Sequence, residues 1–237
     1  MKIVGFGDSF ILGPPFAVPA ITQTYQALLS KKYGSYPEFR GISGTGPWHA
    51  FFDFLNYFKV VNEKVDVVIM AWSEAHRLYN PRATQFEAEN AARAANDPKI
   101  TYQDVFLAMD KYQQFVYDSG KLNYELKALM TMFDDMTLEY PNTKFINLHC
   151  FSWLNQGEFL NGHTDVNQIK YHYRFKNSME IRPALIYLSR LEDWPGDENM
   201  HLETRDCHLS LRMHGLLANA IMNCIDNYQP GKLVNVI

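Results

Sequence analysis

The 237-residue chain has only three cysteines, no excess of positive charge and no long apolar run. Cys150, Cys207 and Cys224 are odd in number and widely spaced, without a C-x-x-C pair. That pattern fits reduced thiols and excludes a disulfide framework. A formal net charge of −4 supplies no basic field, so no nucleic-acid partner is expected. No segment approaches the roughly eighteen consecutive apolar residues of a membrane span. Met1 leads straight into an apolar strand, without the charged and apolar regions of a signal peptide. A soluble, cytoplasmic chain without membrane contact is therefore expected. Internal repeats, low-complexity tracts and linkers are also missing.

What is present describes a globular domain: 47% of residues are hydrophobic and 14% aromatic, in a chain long enough for one large core. Strands are expected at Lys2–Phe6, Tyr36–Gly41, Val65–Ala71, Lys144–Leu148 and Ala184–Leu188. Helices are expected at Thr22–Tyr33, Trp48–Val61 and Glu87–Asn96, with one or two more between Asp104 and Leu138, interrupted near Ser119-Gly120. A last helix carries the periodic run Leu216, Leu217, Ala220, Ile221, Cys224 and Ile225. The near-continuous apolar run Val65–Ala71 suits a parallel sheet covered on both faces. Alternation of strand and helix predicts an α/β domain with a doubly wound, flavodoxin-like parallel sheet in three layers.

Two stretches fit that minimal pattern poorly and read as insertions into a single domain spanning 1–237, one around 78–101 and one around 150–182. The second mixes His163, Lys170, His172, Arg174, Lys176 and Arg182 with Trp153, Phe159, Tyr171, Tyr173 and Phe175. A solvated cap with its own small core accounts for it; a polar substrate such as a sugar would also suit it.

Two short motifs carry chemistry. Gly7-Asp8-Ser9 puts a serine in the loop after the first strand, on the carboxyl rim where open parallel sheets bind ligands. Asp206-Cys207-His208-Leu209-Ser210 puts a histidine just before the last helix. A serine hydroxyl becomes nucleophilic when an imidazole takes its proton, and the imidazole can then protonate the leaving group. Ser9 and His208 are suited to those roles, with Asp8 as a loop-bracing acceptor.

The pair resembles the GDSL or SGNH hydrolase superfamily, whose nucleophile lies in an N-terminal Gly-Asp-Ser and whose Asp and His lie near the C-terminus. The resemblance implies a three-layer α/β fold with helical insertions and a serine hydrolase triad. It implies an oxyanion hole made by the backbone N–H groups of Ser9 and Gly44, the latter within Gly41-Ile42-Ser43-Gly44-Thr45-Gly46. The family's next donor is an asparagine after the third strand, where this chain reads Ala71-Trp72-Ser73-Glu74-Ala75-His76-Arg77. Ser73 stands at the asparagine position, with His76 and Arg77 as alternative donors. The family's Asp stands three residues before its His; here Arg205 is there and Asp206 stands two before, with Glu203 in reserve.

His201, Glu203, Asp206, His208 and His214 cluster in sequence, but their spacing matches no zinc motif. No metal or other cofactor is expected. The expected activity is hydrolysis of small acyl esters, including O-acetylated carbohydrate, by Ser9, His208 and Asp206. Acyl transfer is the second enzymatic reading. A binding module with weakened catalysis is the third, motivated by Ser73 and Arg205.

Overall fold

The computed structural model describes residues 1–12, 24–35, 37–41, 45–60, 64–73, 119–150, 173–183 and 211–236, with single residues at 104, 107, 108, 111, 115, 185 and 209. Six strands form one sheet: β1 (Ile3–Gly7), β2 (Glu38–Gly41), β3 (Val67–Trp72), β4 (Lys144–His149), β5 (Met179–Arg182) and β6 (Leu233–Asn235). Their spatial order is β2-β1-β3-β4-β5-β6, and every neighbouring pair is parallel. The expected parallel α/β architecture is what the chain adopts.

Side chains alternate across a strand, so each apolar run supplies both faces of the sheet. Val67, Ile69 and Ala71 of β3, with Ile146 and Leu148 of β4, belong to one core cluster. Helices α2 (Tyr25–Tyr33) and α5 (Leu211–Asp226) cover that face, contributing Tyr25, Leu29, Met213, Leu217, Ile221 and Ile225. Val68, Met70 and Trp72 belong to the opposite cluster, covered by α3 (Pro47–Val60) and α4 (Ser119–Met136). That second face is largely aromatic. Phe54 meets Phe133 at 5.0 Å between ring centroids and Phe6 at 5.7 Å, the latter edge-to-face, a geometry that adds to area burial. A one-turn helix, α1 (Ser9–Leu12), follows β1 at once.

The ends of α2 follow their residue types. Thr24 at its N-cap accepts a hydrogen bond from the Ala27 N–H at 3.3 Å, and Gly34 closes it with φ of 71°.

A buried polar chain crosses the aromatic face and anchors the segment leading into β5. Trp72 Nε1–H donates to Asn147 Oδ1 at 2.9 Å, and Asn147 Nδ2 donates to Ser178 Oγ at 2.8 Å. Ser178 in turn donates to Asp134 Oδ1 at 2.7 Å. The fully buried Asp134 carboxylate also accepts the N–H groups of Lys176 and Asn177 and the Tyr173 hydroxyl.

The end of the sheet differs in detail from the sequence expectation. The fifth strand among the described residues is Met179–Arg182; of the strand expected at Ala184–Leu188 only Leu185 is described, and it is helical. Pro183, which has no N–H for a ladder, directly follows the strand. The stretch assigned to an insertion over 150–182 thus ends in a core strand, paired between β4 and β6. β6 was not anticipated, being three residues long. Residues 78–101, including the helix expected at Glu87–Asn96, and 151–172 lie outside the described residues. Among the described residues, no helix is long and apolar enough to cross a membrane.

Candidate functional site

The strand order reverses between β1 and β3, because the chain runs outward to β2 on one side and to β4, β5 and β6 on the other. In such sheets, the crevice beyond the carboxyl ends at the reversal is where ligands bind. Ser9 follows β1 and Ser73 follows β3, so both flank that crevice.

Glycine makes the first turn possible. A Cβ on Gly7 would lie 2.8 Å from Ala71 Cβ and 3.2 Å from Ile11 Cβ, and one on Gly41 would lie 2.7 Å from Asp8 O. The turn after β1 therefore sits directly on β2 and β3, and no side chain fits between them. Asp8 is fully buried, and its Oδ1 accepts the Phe10 N–H at 3.1 Å while its carbonyl accepts the Ile11 N–H at 3.1 Å. Cys150, just past β4, donates its thiol to the same Oδ1 at 3.5 Å. Asp8 is thus the brace of the Ser9 turn. Ser9 is the first residue of α1, where a backbone N–H has no partner within the helix.

Ser73 is buried, and its hydroxyl donates to Thr45 O at 3.1 Å. This bond joins the loop after β2 to the end of β3. A hydroxyl has one proton to give, so in this arrangement Ser73 positions the loop next to Gly44 and does not itself point a donor at a ligand.

Gly44, His76, Arg77, Glu203, Asp206 and His208 lie outside the described residues. Leu209, adjacent to His208, is buried in the same core cluster as Phe10 and Ile11. His214 is a packing residue: its ring stacks on Tyr25 at 5.7 Å, and its Nδ1 accepts the Tyr25 N–H at 3.4 Å. Cys150 and Cys224 are buried, reduced thiols, and burial pushes Cys224 up to about 12.

A charged cluster not anticipated from the sequence lies at the same edge of β4 and β5. His149 Nε2 and Glu180 Oε1 are 2.8 Å apart, and Arg182 Nε donates to that oxygen at 2.6 Å. His149 and Glu180 are each 2% exposed. Burial alone would raise the Glu180 carboxyl, but His149 and Arg182 outweigh it and hold Glu180 below the usual carboxylate range. The sequence signal was the Met-Glu-Ile-Arg alternation, with its charges at positions that face a core.

No protein-family model matches the sequence, and no curated protein matches it. In structure the chain is similar to a carbohydrate esterase whose active site "displays divergent catalytic and non-catalytic binding functions", at 14% identity over 96% of this chain and 69% of that one, with a TM-score of 0.46. It is also similar to a family 2 carbohydrate esterase with a carbohydrate-binding domain from Corynascus thermopiles (Myceliophthora fergusii), at 12% identity over 95% and 65% of the two chains, TM-score 0.43. A G-D-S-L family protein from Desulfitobacterium hafniense DCB-2 aligns at 16% identity over 62% and 76%, TM-score 0.27. The chain spans about two thirds of the length of the two carbohydrate esterases. The likeness is one of fold.

Proposed function

We propose that the chain is a serine ester hydrolase acting on small acyl esters, including O-acetyl groups on carbohydrate. The observation that carries this reading is the position of Ser9, first residue of a one-turn helix at the carboxyl end of β1, beside the crevice where the strand order reverses. Ser9 attacks the ester carbonyl while His208 takes its proton; His208 then protonates the departing alcohol and activates water for deacylation. Asp206 orients the imidazole. The N–H groups of Ser9 and Gly44 receive the oxyanion, and Ser73 supports that hole by holding the loop at Thr45. The burial of Leu209 with Phe10 and Ile11 supports bringing the neighbouring His208 to the Ser9 side of the sheet.

The commitment of the Ser73 hydroxyl to Thr45 O favours one competing reading, a binding module short of an oxyanion donor. Labelling with a serine-directed fluorophosphonate, located by peptide mass spectrometry, separates the two. The enzyme reading expects modification at Ser9, loss of labelling in Ser9→Ala, and hydrolysis of a short aryl ester that falls by about 10³- to 10⁶-fold in that variant. A chain that neither labels at Ser9 nor hydrolyses the ester is a binding module.

A further inference from the structure

We infer that Tyr25 and Gln26 of α2 are positioning residues for the nucleophile turn, and that His214 fastens their support to the helix that follows His208. This rests on the proposed role of Ser9.

A helix of four residues cannot hold itself together, because its carbonyls lie beyond the reach of any internal partner and a single turn does not offset its nucleation cost. The orientation of α1 must come from elsewhere. Tyr25 Oη donates to Phe10 O at 2.9 Å and lies 3.5 Å from Ile11 O, while Gln26 Nε2 donates to Ile11 O at 3.0 Å. Two adjacent side chains of α2 thus take up the carbonyls of the two residues after Ser9. Burial, with Cys150 and Asp8 adding to it, pushes the Tyr25 hydroxyl well above its ordinary range, so it stays a donor.

Gln26 supplies an independent indication. It is 2% exposed, and among the described residues its buried Oε1 has no hydrogen-bond partner. An orphaned buried acceptor is destabilising, and a leucine would avoid it. The amide is accounted for by what its other half does, which is to hold Ile11 O.

The support extends to the far end of the chain. His214 Nδ1 accepts the Tyr25 N–H, and Tyr33 Oη donates to Asp226 Oδ1 at 3.0 Å, so α2 is bound to α5 at both ends. α5 begins three residues after His208. The α2/α5 pair thus stands behind α1 and also includes the helix that follows His208 in sequence.

The test compares Tyr25→Phe and Gln26→Leu with wild type, measuring kcat and KM for an aryl ester, the rate of fluorophosphonate labelling at Ser9, and Tm. Misplacing a reacting group by about 1 Å costs on the order of 100-fold. Each variant is expected to lower kcat and the labelling rate about 10-fold or more with KM unchanged. Gln26→Leu removes the orphaned acceptor, so it is expected to do this without a fall in Tm. A merely structural role would lower Tm and leave kcat of the folded fraction intact. Folded variants that label and turn over at the wild-type rate, while wild type labels at Ser9, overturn the positioning role alone. A wild-type chain that does not label at Ser9 overturns the serine reading, and this inference with it.

Discussion

Replacing Asp134 with alanine withdraws the acceptor of four donors at once: the N–H groups of Lys176 and Asn177 and the hydroxyls of Ser178 and Tyr173. These losses are unequal. Tyr173 is half-buried and can turn to water, and the Ser178 hydroxyl can rotate while still accepting from Asn147. The two backbone N–H groups have no such freedom; both bonds are half-buried, so each donor left without its partner costs about 1–2 kcal/mol, the lower part of the range for buried groups. A loss of about 3 kcal/mol follows, which for a chain of this size is a Tm drop of about 6–12 °C. Asp134→Asn keeps one acceptor oxygen and should lose roughly half as much. Asp135→Asn, one residue on and exposed, is the control and should stay within about 0.5 kcal/mol of wild type. Urea unfolding of the three variants gives the comparison. Asp134→Ala within about 1 kcal/mol of wild type would refute the reasoning, since it would mean the segment into β5 keeps its place without its anchor.

Glu180→Gln should cost about 2 kcal/mol near neutral pH, in line with charged hydrogen bonds, and the cost should shrink in acid. The folded carboxyl titrates below its ordinary value of about 4.3, so its contribution is complete above that value and disappears as pH falls through the folded one. Urea unfolding at neutral and acid pH measures this, and an equal gap at both would refute the ion cluster. Gly7→Ala should cost about 1–3 kcal/mol through contact of the new methyl with Ala71 and Ile11, and should lower turnover by displacing α1; an unchanged Tm would show that the turn can yield. On the proposed mechanism ester hydrolysis should rise with pH through an apparent pKa of about 6 to 7.5, since an imidazole must be neutral to accept the serine proton, and His208→Asn should be inactive throughout. An active His208→Asn removes His208 from the mechanism.

The sheet was legible where burial on both faces leaves an unbroken apolar run, as in Val67–Trp72, and the last helix where its apolar positions repeat with helical spacing. β5 was not, because Glu180 and Arg182 occupy core-facing positions and are hydrogen-bonded there to each other and, through Glu180, to His149, a compensation made across strands and invisible to local pattern. β6 is too short to carry a pattern at all. At the site, Gly7-Asp8-Ser9 was legible as a serine just past a strand end, whereas Ser73 was legible only by its place after the third strand, and its bond to Thr45 O was not. Tyr25 was readable only as an apolar position on a helix face. Its hydroxyl matters through a carbonyl fifteen residues earlier, and a carbonyl has no sequence signature.

The Ser9 turn also has a history during synthesis. It rests on Gly41, on Tyr25, on the Cys150 thiol and, behind Tyr25, on His214, which is 189 residues further along the chain. Translation adds about 5–20 residues per second, so Ser9 leaves the ribosome about 10–40 s before the last part of its support. Until then the Ser9 turn can have Gly41, Tyr25 and Cys150 against it but lacks the α5 side chain that Tyr25 itself leans on. A nascent or cleaved chain that stops short of α5 can contain Ser9, His208 and most of the sheet and still be unreactive. On the proposed role of Ser9, fluorophosphonate labelling would report the finished molecule and no fragment of it.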